Sequence, residues 1–146
     1  MADKLDANVL LVDDEEQFLR VLSERLTNRG LHVDSVTSGE EAVAQVENKN
    51  FDAIVVDLAM PGINGIQTLK RIKAKRPDLE IIILTGHATV KTGIEAMKLG
   101  AEDFLEKPVD LNVLLEKIRN AKHKRMLVLE KKSQNEMQQI LKNKSW

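Results

Sequence analysis

Short apolar runs alternate along this chain with longer stretches of helical period, the pattern of a parallel sheet covered by helices on both faces. The runs are Val9 to Val12, Leu31 to Val36, Ala53 to Val56, Ile81 to Leu84 and Phe104 to Leu105. The first, third and fourth are almost wholly aliphatic and rich in β-branched residues, as strands buried on both faces require, so these three are expected at the centre of the sheet. The expected class is therefore α/β, with a doubly wound five-stranded sheet.

Helix candidates with readable ends lie between the runs. The first starts after Asp13-Asp14, puts Phe18, Leu22 and Leu26 on one face and stops at Gly30, a left-handed cap. Ser38 followed by Glu41 reads as a capping box for the second, which buries Ala42, Val43 and Val46. Ile66, Leu69 and Ile72 mark the third, which Pro77 ends. The fourth, Thr89 to Leu99, is weakened by Gly93, which costs about 1 kcal/mol against alanine inside a helix. The fifth starts near Asp110 and shows no stop signal. Leu111, Leu115 and Ile118 are expected to pack on the sheet, and the stripe resumes with Met126, Leu129, Met137 and Ile140, interrupted by Lys122 and Ser133. A continuous helix of this length would reach on the order of 50 Å, too long for one small domain.

Composition narrows the function classes. With 146 residues, 42% of them apolar and 31% charged, the chain suits a single folded domain with one core. It has no cysteine, so disulfides and thiolate metal sites are excluded. The histidines at 32, 87 and 123 do not pair as zinc ligands. No apolar run spans a bilayer and the start MADKLDAN lacks the apolar stretch of a signal peptide, so a cytoplasmic protein without membrane contact is expected. The net charge of -1 conceals a segregation: residues 1–110 carry 13 Lys+Arg and 20 Asp+Glu, whereas residues 111–146 carry 9 and 3.

In an open parallel sheet, ligands collect beyond the carboxyl ends of the strands. There the first run ends in Asp13-Asp14, the third in Asp57 and the fourth in Thr85, and the fifth is followed by Lys107-Pro108. Three carboxylates in one crevice repel unless a cation balances them, and magnesium, which takes oxygen ligands, is the natural choice. Lys107 adds a further positive charge. A carboxylate beside such an ion can attack phosphorus to form an acyl phosphate, and Asp57, at the end of FDAIVVD, fits that role best. Phosphoryl transfer asks for positioning and charge neutralisation more than for a base, so no catalytic histidine is needed.

These residues resemble a known family. LLVDDEE at 10–16, IVVDLAMPGINGIQTL at 54–69, IIILTGH at 81–87 and GAEDFLEKPVD at 100–110 are similar, in order and spacing, to the four signature blocks of bacterial two-component response-regulator receiver domains. The TGH and PG blocks look most like receivers of nitrogen-regulation transcriptional regulators. The resemblance covers about residues 8–122 and implies a CheY-like sheet of strand order 2-1-3-4-5, with a receiver domain at 1–122 and a helical linker or dimerisation extension at 123–146. It implies that Asp14 binds Mg2+ directly, that Asp13 helps hold the ion partly through water, and that the main-chain carbonyl of Ala59 completes the site. It further implies that a histidine kinase or phosphotransfer protein phosphorylates Asp57, that Lys107 pairs with the phosphoryl group, and that the Lys107–Pro108 peptide is cis. Thr85 and Phe104 match the pair that moves inward on phosphorylation. Ala59 and His87 match positions that tune phosphate lifetime.

Two rivals remain at this stage. A haloacid-dehalogenase-type phosphatase also uses an aspartyl nucleophile, but resembles its own family in a second aspartate two residues on, where this chain has Ala59. A nucleic-acid or membrane-surface binder would exploit the basic tail, yet the tail has no aromatic besides Trp146 and no helix-turn-helix pattern. Direct nucleic-acid contact by the body is not expected. A homodimer through the tail, or an output domain or downstream partner beyond it, fits better.

Overall fold

A computed structural model describes residues 5–60 and 62–143; Pro61 and Trp146 lie outside them. The chain alternates strands β1 (Asn8–Val12), β2 (His32–Val36), β3 (Ala53–Val56), β4 (Ile81–Thr85) and β5 (Asp103–Glu106) with helices. These are α1 (Glu16–Asn28), α2 (Gly39–Asn48), α3 (Gly65–Lys75), α4 (Val90–Lys98) and α5 (Leu111–Asn143). All strand pairs are parallel and the order is β2-β1-β3-β4-β5, so the three most aliphatic runs occupy the centre as expected. β4 ends in Thr85.

Alternation along the strands divides the core. Leu10, Val12, Ile54, Val56, Ile81 and Ile83 face α2, α3 and α4 through Ala42, Val46, Leu69, Ile72 and Ala96. Val9, Leu11, Ala53, Val55, Ile82 and Leu84 face α1 and α5 through Leu19, Leu22, Leu26, Leu114, Leu115 and Ile118. Each large aliphatic side chain so buried stabilises the fold by about 1.5–3 kcal/mol relative to exposure.

The helix ends follow local chemistry, with some corrections. Gly30 has φ 97°, the left-handed conformation expected beyond the end of α1. On α1 Leu19, Leu22 and Leu26 are buried while Phe18 is half-buried. Ser38 caps α2 by accepting the Glu41 N–H, but Glu41 reaches the Thr37 and Ser38 hydroxyls instead of closing a box on the Ser38 backbone. Full capping boxes form at Asn64/Gln67 for α3 and Thr89/Thr92 for α4. On α5, Leu115 and Ile118 are buried as expected, but Leu114 and Ala121 complete that face and Leu111 is only half-buried.

The fifth helix is continuous over 33 residues. Its first part packs on the sheet; farther along it meets the body through charged contacts, Lys124 with Glu102 (2.7 Å) and Arg125 with Asp78 (3.3 Å) and Asp52 (3.8 Å). From Met126 to Asn143 it projects as an arm, with Met126, Met137 and Ile140 exposed and Leu129 half-exposed. No helix among the described residues is long and apolar enough to cross a membrane.

Candidate functional site

Parallel pairing continues past the strands and carries the polar residues to one edge. The Asp13 N–H donates to the Val36 carbonyl (3.2 Å), the Asp57 N–H to the Val12 carbonyl (2.9 Å), and the Lys107 N–H to the Thr85 carbonyl (2.8 Å). Backbone bonds thus fix where each side chain leaves the sheet. Beneath Asp57, α3 starts so close that a methyl group at Gly65 would lie 2.3 Å from the Asp57 carbonyl oxygen. Only glycine admits that approach, which explains the second glycine of the PGINGIQTL block.

Carboxylate oxygens of Asp13, Asp14 and Asp57 lie within 4.8 Å of one another. Asp13 and Asp57 are each 3% exposed, whereas Asp14 stands at the solvent. Burial pushes the Asp13 carboxyl above its ordinary range and the neighbouring Asp57 charge pushes the same way, against the hydrogen bonds from Lys107 and the Glu15 N–H. Oδ1 of Asp57 is buried without a hydrogen-bond partner, a costly state for a carboxylate oxygen. Lys107 Nζ donates to Asp13 Oδ2 at 2.7 Å and lies 3.9 Å from Asp57 Oδ2 and 3.5 Å from Glu15 Oε1. Burial alone would lower the Lys107 amine; the bond to Asp13 and the surrounding carboxylates outweigh it, keeping the amine above its ordinary value and charged.

The donor set suits a hard divalent cation. It consists of oxygens, two from buried carboxylates and one from an exposed carboxylate that leaves room for water, and a single lysine does not balance three negative charges. Ala59 stands two residues after Asp57 and is exposed. Thr85 is fully buried and its hydroxyl accepts the His87 N–H at 3.1 Å, while His87 itself is exposed. Phe104 is half-buried, pairs in register with Ile83 and stands beside Gly93 of α4. Together with Thr89, Val90, Ile94 and Met97 it lines an open groove of about 830 Å3. The Lys107–Pro108 peptide is cis.

Asp13, Asp14, Asp57 and Lys107 thus meet at the carboxyl edge, Thr85 ends β4 there, and Phe104 is set back toward α4. Sequence reasoning missed two neighbours of Lys107: Glu15, and Phe18, whose ring centroid is 4.0 Å from Nζ. Phe18 lies in the first turn of α1, and nothing in the local pattern separates it from a core position.

Comparison with known proteins agrees with this geometry. The family model described as response regulator receiver domain matches residues 9–119. The transcriptional regulatory protein ZraR of Salmonella typhimurium is 40% identical over 114 residues, 78% of this chain and 26% of ZraR. The C4-dicarboxylate transport transcriptional regulatory protein DctD of Pseudomonas aeruginosa is 36% identical over 126 residues, 86% of this chain and 27% of DctD. The chain therefore spans about a quarter of the length of these relatives. Among solved structures, a receiver domain protein from Clostridium thermocellum superposes with TM-score 0.79 at 35% identity, covering 84% of this chain and 98% of that one. NtrX from Brucella abortus superposes with TM-score 0.80 at 25% identity, covering 90% of this chain and 30% of NtrX. The chain belongs to the response-regulator receiver domain family, in the class whose relatives are transcriptional regulatory proteins.

Proposed function

We propose that this chain is the phosphorylation-dependent switch of a two-component system, accepting a phosphoryl group on Asp57. The observation that carries the reading is the orphaned, buried Oδ1 of Asp57 in a crevice with two further carboxylates and one charged lysine. Asp13, Asp14, Asp57 and the Ala59 main-chain carbonyl would hold Mg2+, which when bound supplies charge neutralisation for the transferring phosphoryl oxygens. Asp57 forms the new P–O bond, and the donor's leaving atom, a histidine nitrogen of a kinase or phosphotransfer protein, departs with the electron pair of the broken bond. Lys107 remains protonated throughout and pairs with the bound phosphoryl group.

Thr85 reads the result. Its hydroxyl already accepts from His87 N–H, so its own proton is free to be donated to a phosphoryl oxygen. Phe104, bordering the groove at α4, follows inward, and the α4/β5 face becomes the altered surface. Ala59 and His87, both exposed beside the site, set how water reaches the acyl phosphate. The chain divides into a receiver at 1–122 and a helical extension at 123–146, whose exposed Met126, Met137 and Ile140 pair with a second copy or lead to an output domain. The cytoplasm is the compartment this chemistry fits.

The test is treatment with a small acyl phosphate in the presence of Mg2+. One phosphoryl group per chain, lost when a chelator is present, is expected. Steady release of phosphate from many small phosphomonoesters would instead indicate a phosphatase, which Ala59 in place of a second aspartate argues against.

A further inference from the structure

Lys107 is held by more than carboxylates. Its ammonium sits 4.0 Å from the centroid of the Phe18 ring, within the range of attraction between a cation and an aromatic face. The side chain is 14% exposed, so this attraction acts in a partly dry setting. Phe18 in turn is fixed in the first turn of α1 and lines a small space with Asp13, Asp57, Leu19 and Leu84. Of the three phenylalanines, Phe51 lies in the core on the other face of the sheet and Phe104 beside α4, so Phe18 alone meets the lysine.

We propose that Phe18 is a positioning residue for Lys107, its ring keeping the ammonium over the crevice so that the charge reaches a phosphoryl group on Asp57. The inference rests on the receiver reading above. Lysine has four rotatable bonds, and its shortest polar contact is to Asp13. A cation taking the Asp13 oxygens would remove that acceptor and repel the ammonium. The ring, having no charge to lose, is the anchor that remains within reach of Asp57. A leucine at this half-buried position would keep an apolar side chain, though a smaller one, and offer no such anchor, so the ring shift rather than stability separates this role from plain packing. With a small acyl phosphate as donor, the transfer exchanges one P–O bond of that donor for one to Asp57, the donor's acyl oxygen keeping the electron pair, with no proton taken from Lys107.

Two readouts test the proposal. In protein without phosphodonor, the Lys107 methylene protons nearest Nζ should show an upfield ring shift in the wild type and in Phe18→Tyr, absent in Phe18→Leu. With a small acyl phosphate and Mg2+, Phe18→Leu should be phosphorylated roughly three- to thirtyfold more slowly, with stoichiometry at Asp57 unchanged, and Phe18→Tyr should restore the rate. If Phe18→Leu does not fold, Phe18→Met, a ring-less side chain whose flexibility fills irregular space, takes its place. No ring shift in the wild type, or a wild-type rate in the ring-less variant, overturns the proposal alone. A wild type that takes up no phosphate overturns the receiver reading and this role with it.

Discussion

Asp13, Asp14 and Asp57 crowd negative charge that Lys107 offsets only in part, and this imbalance has a measurable consequence. Magnesium at about a hundred times its dissociation constant should raise the unfolding free energy by about 2.7 kcal/mol, read as a higher melting temperature. Asp14→Asn, at an exposed position, should lose most of that gain; an equal gain would show the ion held elsewhere. A further buried carboxylate, Glu80, lies at the opposite edge of the sheet, its Oε2 without a hydrogen-bond partner and 3.8 Å from Lys124 Nζ. Burial raises its carboxyl above the ordinary 4.5, so the folded protein holds that proton more tightly than the unfolded chain. Its contribution to stability therefore grows as pH falls through the raised value, is complete below 4.5, and is lost as pH rises. Glu80→Gln should remove this component, so that the difference between wild type and variant in urea unfolding shrinks from pH 8 to pH 5 or changes sign; a pH-independent difference would contradict it. The acidic edge was legible from single residues because strand ends announce themselves. Glu80 was not, because its burial depends on α5 folding back over it from more than forty residues away.

Among the elements, α4 is the least anchored: Ala96 is its one buried residue, Gly93 lies at its middle, and Val90 is 81% exposed. If phosphorylation acts through α4 and β5, hydrogen exchange across residues 85–106 should change between the free protein and one carrying a phosphoryl mimic, and unchanged protection would remove that role. The end of α5 is anchored by charge. Arg125 is 9% exposed, its guanidinium paired with Asp78 and Asp52 and its Nε unpartnered. Arg125→Met should cost roughly 1–3 kcal/mol and speed exchange beyond Ala121, since partly buried carboxylates lose a partner. Thermal melts and exchange of the same variant would check both. Strands were readable because apolar runs bounded by polar residues have few other uses. The inner face of α5 was read incompletely: Leu115 and Ile118 are buried as expected, but Leu114 and Ala121 are buried with them and Leu111 is only half-buried. A basic residue on a helix normally stays wet, so nothing local marked Arg125 as buried.

At the scale of the molecule, an acidic body carries a basic helical arm whose apolar positions Met126, Met137 and Ile140 are exposed among the described residues. A second copy would bury that stripe, and sedimentation of the intact chain should show a dimer that Met137→Glu with Ile140→Glu reverts to monomer. A monomeric wild type, phosphorylated or not, would assign the arm to another partner. The α/β class and the central strands followed from pattern alone, whereas the strand order came through family resemblance, because periodicity does not say which strands are neighbours. Where the arm points depends on Lys124 and Arg125 meeting acids from three distant segments, information that no window of sequence contains. The central claim is the identity of the acceptor. Wild type and Asp57→Asn should be treated with a small phosphodonor and Mg2+, trapped by reductive cleavage of the acyl phosphate, and mapped by mass spectrometry. A single modified residue at position 57 in the wild type and none in the variant is the expected result; equal modification of both would place the chemistry on another residue and contradict the account.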